Sequence, residues 1–172
     1  MQKLNIISVP DPLLKTVSTP VETVDDDLRR LMDNMLHTMY EAPGIGLAAI
    51  QVGVPKRLLV TDVSDEEGVK KPRFLINPEV VWASDEMNTY NEGCLSVPEH
   101  YAEVERPERI RVAYTNYDGK QVEEDMDGLL ATCVQHEIDH LNGVVFIDYL
   151  SRLRRNMIIK KVQKATKDMT IL

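Results

Sequence analysis

Apolar and polar positions along the chain follow two different periods. Leu28, Leu31, Met32, Met35, Leu36 and Met39 recur at i, i+3, i+4, i+7, i+8 and i+11 behind a cluster of acids, which predicts an amphipathic helix from Asp25 that ends by Pro43. Ahead of it, residues 6–24 carry Pro10, Pro12 and Pro20 among short apolar pieces and read as an irregular arm with at most one helical turn. Beyond it, segments rich in Val, Ile, Leu and Tyr at 57–63, 74–83, 89–93, 101–105, 109–117 and 120–126 read as strands. Asp118-Gly119 is a hairpin turn between the last two, and 65–71 an exposed loop. Short connections favour an antiparallel or mixed sheet over βαβ units.

A second helical repeat, Leu129, Leu130, Cys133, Val134, Ile138 and Leu141, lies between Asp127, a plausible N-cap, and the stop signal Gly143. A short apolar connection at 144–150 leads to Ser151, which can cap a final helix. Its apolar stripe is Leu153, Met157, Ile158, Val162 and Ala165, and it carries seven lysines and arginines between Arg152 and Lys167. That helix has either a solvated basic face or a surface that docks on something anionic. The expected fold class is α+β: a mainly antiparallel or mixed sheet packed around that second, central helix, with an N-terminal and a C-terminal helix.

At 172 residues the chain suits one domain, and its net charge of -8 argues against wholesale binding to nucleic acid or an acidic membrane. Neither a long apolar segment nor an Arg- and Ser-rich leader is evident, so no membrane association and a cytoplasmic location are expected. A processed organellar form would look the same. The two cysteines, Cys94 and Cys133, would be free thiols in a reducing compartment. Gly44-Ile45-Gly46-Leu47-Ala48-Ala49 is either backbone that passes close to something or a tight turn under the sheet. It is not a dinucleotide fingerprint, because the third glycine is missing and no strand precedes it.

The chemistry sits on the second helix. His136 and His140 are four residues apart, so their imidazoles stand on one face and can reach one ion, with Glu137 between them to handle the proton of a water. A catalytic site of this kind needs a third protein ligand. Cys133 is too far along the helix axis and reads better as a pocket wall. Cys94 follows Gly93 at a strand end, where the backbone can bend and aim the thiolate at the helix.

With Cys94 added, three stretches, 44–51, 92–96 and 135–140, resemble in order and spacing the three signature motifs of the peptide deformylases. The resemblance implies removal of the formyl group from N-formylmethionine of nascent polypeptides, with release of formate. It implies Cys94, His136 and His140 as ligands of one divalent metal ion, Fe2+ first, with Zn2+, Ni2+ or Co2+ as substitutes. It further implies Glu137 as general acid and base, with Gln51 and the Leu95 backbone N–H as oxyanion donors. Ile45 and Gly46 would pair with the substrate peptide as an added strand, and Leu129 and Cys133 would line the methionine pocket; core packing is the alternative for both pairs. Glu92 belongs to the same candidate substrate-side group, and it could orient a ligand histidine or pair with Arg106. Ile50 and Tyr101 depart from residues common among relatives, which bears on contacts at the pocket rim. The helical C-terminus resembles the form of the family associated with ribosome docking. Two rivals remain: a different metal-dependent amidase sharing only the histidine motif, and a module in which metal merely staples the fold.

Overall fold

The computed structural model describes all residues except Asp65 and Leu172. The exposed loop expected at 65–71 is therefore seen from residue 66; Asp65 lies outside the described residues. The first helix, α1 (Asp26–Glu41), starts where Asp25 Oδ1 accepts the Leu28 N–H at 2.9 Å, and it buries Met32, Met35 and Met39 completely. One 3-10 turn, Pro12–Lys15, is the only helical element described in the N-terminal arm.

Among the described residues seven strands follow: β1 (Gly46–Ala48), β2 (Leu58–Asp62), β3 (Pro72–Ala83), β4 (Met87–Cys94), β5 (Val97–Pro107), β6 (Arg109–Thr115) and β7 (Gln121–Asp127). Five form a sheet in the order β1-β2-β3-β6-β7, and β4 pairs with β5 in a separate ribbon. Each pairing between these strands is antiparallel, as short connections require for consecutive strands, while β3 and β6 are joined through the β4–β5 ribbon. The six expected strands are all present. β1 was not anticipated, because three residues opening on a glycine carry no alternation to read.

The second helix, α2 (Gly128–Leu141), lies on one face of the sheet. Ala131, Val134, Ile138 and Leu141 pack there with Leu59, Leu75, Ile110 and Val112. Leu58, Val60 and Ile76 point to the other face and meet the methionines of α1. Residues 58–60 of β2 are thus buried on both sides, which is why they read as a continuous apolar run. Asp127 has the extended backbone of an N-cap but makes no capping bond with its side chain. At the other end Gly143 takes φ 77°, and a Cβ there would stand 2.5 Å from the Lys15 carbonyl oxygen, so the chain can leave the helix under the N-terminal arm only as glycine.

The last helix, α3 (Arg152–Ile171), is capped by Ser151, whose hydroxyl accepts the Arg154 N–H at 3.2 Å. Its docked face differs from the expected stripe. Ile158 and Val162, with Ile159 beside them, pack on Val97, Val104, Phe146 and Ile147, whereas Leu153 and Met157 are 74% and 50% exposed. The reason is angular: at ~100° per residue, positions 157 and 153 fall well round the helix from 158 and 162. Ala165 is exposed as well. No described helix is long and apolar enough to cross a membrane.

Candidate metal centre and its cleft

The side of α2 turned away from the sheet carries His136, Glu137 and His140, all buried, and faces the end of β4. There the β4–β5 register shifts between Gly93 and Cys94, so that Gly93 pairs with Tyr101 but Cys94 with Val97. This irregularity turns the Cys94 thiol inward. One ligand atom from each of Cys94, His136 and His140 lies within 4.8 Å of the others, and His140 Nε2 is 3.3 Å from Cys94 Sγ. Neither His37 nor His100 joins this group.

Behind His136 runs a chain of ionic bonds. His136 Nδ1 is 2.9 Å from Glu92 Oε1; a carboxylate can only accept, so Nδ1 carries the proton and Nε2 is left for the cluster. Arg106 donates from Nε to Glu92 Oε2 at 2.7 Å, from Nη2 to Oε1 at 3.0 Å, and from Nη1 to Asp139 Oδ2 at 2.8 Å. The two roles open to Glu92 are therefore both filled. Although it borders the cleft, its two carboxylate oxygens bond inward to Arg106 and His136. Burial raises the Glu92 pKa, but the bonds from His136 and Arg106 outweigh it and hold the carboxyl below its ordinary value. Burial depresses His136 too, yet its bonds to Cys94 and Glu92 keep it well above the usual value. For His140, burial and then the neighbouring positive groups keep the ring neutral, the form that binds metal.

Glu137 is 4% exposed, and burial pushes its pKa up to about 7. Among the described residues its Oε2 has no hydrogen-bond partner. Gln51 reaches the same place from a 3-10 turn, Ala49–Val52: its Oε1 accepts the Ala48 N–H at 2.9 Å, and its Nε2 donates to Ser96 Oγ at 3.0 Å and lies 3.5 Å from Cys94 Sγ. A cleft of about 870 Å³ opens over Cys94, His136 and Glu137. Ile45, Gly46, Leu129, Cys133 and Leu95 border it, as does Tyr101. A Cβ on Gly46 would stand 2.8 Å from Cys133 Sγ and 3.0 Å from Glu137 Oε1; this is the close approach that the glycine pair foreshadowed.

The donor set fits a metal ion. One thiolate and two imidazoles can bind zinc and other first-row divalent ions, and Glu137, whose Oε2 has no hydrogen-bond partner among the described residues, borders the same space. Residues 3–156 match the family model of polypeptide deformylase. The chain belongs to the peptide deformylases. It is 64% identical over 162 residues to the peptide deformylase of Phenylobacterium zucineum, covering 94% of this chain and 96% of that one. The crystal structure of the Ehrlichia chaffeensis peptide deformylase superposes with a TM-score of 0.95 at 43% identity, covering 98% and 99% of the two chains. A second structure of the enzyme from that organism, in complex with actinonin, gives 0.93 at 47% identity over 96% and 98%. Deformylases are metal-dependent hydrolases that remove the N-terminal formyl group of nascent polypeptides.

Sequence reasoning missed four residues around this centre. Ser96 fixes the Gln51 amide, Phe146 stacks on His136 with ring centroids 6.0 Å apart, and Asp139 and Tyr149 extend the ionic chain outward. Asp139, lying between the two histidines, and Ser96, the last residue of the 92–96 stretch, carried a local signal.

Proposed function

We propose that this chain removes the formyl group from N-formylmethionyl peptides, with Cys94, His136 and His140 holding the metal and Glu137 moving the protons. The observation that carries the assignment is the convergence of those three donors with the buried, unpartnered Glu137 Oε2. A divalent cation bound there supplies Lewis acidity and makes hydroxide available at about pH 7. Glu137, with its pKa near neutrality, accepts the water's proton and passes it to the leaving amine. Gln51 Nε2 and the Leu95 backbone N–H donate to the oxygen on which charge collects as the formyl carbon becomes tetrahedral. The backbone at Ile45 and Gly46, the edge of the sheet, pairs with the peptide, a mode of binding tolerant of sequence. Leu129 and Cys133 wall the methionine pocket. Glu92 holds the His136 tautomer.

The native ion in this reading is Fe2+, and zinc, nickel or cobalt can replace it. A ferrous thiolate site is oxygen-sensitive, so anaerobic preparation should yield more activity than aerobic preparation of the same chain. The whole chain acts as one catalytic unit in the cytoplasm, and α3, with its basic residues and exposed Leu153 and Met157, docks on the ribosome. The decisive test is formate release from formyl-Met-Ala-Ser against the unformylated peptide, using the parent and Glu137→Ala at matched metal content. Activity confined to the formylated peptide and lost in the variant is expected; equal activity in the two proteins rules the mechanism out.

A further inference from the structure

The ionic chain behind His136 does not end at Arg106. Tyr149 closes the 3-10 turn Phe146–Tyr149 between α2 and α3, and its hydroxyl donates to Asp139 Oδ2 at 2.7 Å, the same oxygen that accepts Arg106 Nη1. Its ring covers the Arg106 guanidinium, 5.2 Å from carbon to centroid. Tyr149 is 54% exposed and Arg106 only 5%, so the tyrosine is the solvent end of a relay whose buried end is a metal ligand. The turn that carries it also places Phe146 against the His136 ring, with planes 28° apart.

We propose that Tyr149 is a positioning residue for the metal centre, its hydroxyl fixing Asp139 and, through Arg106 and Glu92, the orientation of His136. This rests on the ligand assignment made above. A guanidinium offers donors in a rigid plane, so its direction is set by the acceptors around it. With Oδ2 of Asp139 held from two sides, Arg106 presents Nε and Nη2 to Glu92 in one orientation, and Glu92 presents Oε1 to Nδ1 of His136. Without the hydroxyl, Asp139, which faces solvent in part, can swing away from Arg106. The buried end then loses its stop. Because only Leu150 and Ser151 separate the same turn from α3, the relay also joins that helix to His136.

The competing role for Tyr149 is a plain cover over a buried cation, and phenylalanine separates the two. It keeps the ring over Arg106 and removes only the donor to Asp139. The full chain, loaded with Co2+, is compared as parent, Tyr149→Phe and Tyr149→Ala. The readouts are the thiolate-to-cobalt absorption band, the rate at which EDTA strips the ion, and the Tm of each metal-free protein. Loss of a partner to a ligand typically lowers metal affinity 10- to 100-fold, so a residue three hydrogen bonds beyond that partner should speed stripping by less, about 3- to 10-fold. That increase is expected in Tyr149→Phe, with a shifted band and an unchanged metal-free Tm. A Tyr149→Phe protein with the parent's spectrum and stripping rate, and a defect only in Tyr149→Ala, overturns the proposal. A parent chain with no thiolate-to-cobalt band overturns the ligand assignment, and this proposal with it.

Discussion

Gln51 donates its side-chain N–H to the Ser96 hydroxyl across 3.0 Å, and this bond decides which end of the amide faces Cys94. With Oε1 held by the Ala48 N–H, Nε2 is left beside Cys94 Sγ. Gln51→Glu would keep the length and replace the donor by an acceptor. The Ser96 hydroxyl can reverse and donate to the new carboxylate, so folding should survive. Removing one oxyanion donor typically lowers kcat by about 100-fold or more. Formate release in Gln51→Glu should fall by at least about that factor with metal content unchanged. A loss of under threefold would remove Gln51 from the chemistry.

The metal-free protein should show a pH dependence traceable to Glu137. Burial raises its pKa from the ordinary 4.5 to about 7. The fold therefore holds this proton more tightly than the unfolded chain does. Stability is fully present below 4.5 and is lost as pH rises through about 7. At 1.36 kcal/mol per pH unit the loss from this group is about 3 kcal/mol. Glu137→Gln has no such proton to lose. Urea denaturation of both metal-free proteins at pH 5 and pH 8 should show the variant gaining on the parent by about that amount. A difference independent of pH would mean that the carboxyl is charged throughout.

Why the site was partly legible follows from where its members lie. His136, Glu137, His140 and their apolar neighbours sit on one helix, where a four-residue spacing is itself geometry. Cys94 and Gln51 come from distant segments: the glycine before Cys94 at a strand end singled out the thiol, whereas only the family resemblance pointed to Gln51. The antiparallel pairings could be inferred from connection length, since no described strand pair is joined by a crossover helix. β1 could not, because its role as sheet edge depends on Leu47 pairing with Val60 thirteen residues away. The side of α3 that docks was misread because apolar residues lie all round it. Tertiary contact, through Ile158 and Val162, made the choice.

Gly46 leaves no space for a methyl group. In Gly46→Ala the new Cβ would meet Cys133 Sγ at 2.8 Å and the Glu137 side chain at 3.0 Å, and overpacking of this kind costs about 1–3 kcal/mol. Displacing Glu137 should lower kcat, and shifting the sheet edge should raise KM. Cys133→Ala removes the nearer obstacle, so the double variant should recover part of the stability lost in Gly46→Ala. A double variant no more stable than the single one would show that the strain lies elsewhere.

Arg57 secures the helix that carries His136 and His140 from its far end. Its Nη1 donates to the Leu141 carbonyl at 3.0 Å and its Nη2 to Asn142 Oδ1 at 3.0 Å, both at the C-terminus of α2. A cation there completes carbonyls that the helix leaves open and opposes the negative end of its dipole. The Ser18 N–H also donates to the Leu141 oxygen, so that carbonyl keeps one partner when the arginine is removed. The loss in Arg57→Ala should then be moderate, about 2 kcal/mol for charged hydrogen bonds without a fully orphaned acceptor. Arg57→Lys, with one compact donor in place of the fork, should recover less than half. Because His140 lies one residue before Leu141, fraying of this end should also speed EDTA stripping of the metal, while kcat of the loaded protein stays near the parent value. Parent-like stripping together with the expected loss in Tm would show that the last turn of α2 is held by packing around His140 rather than by its cap.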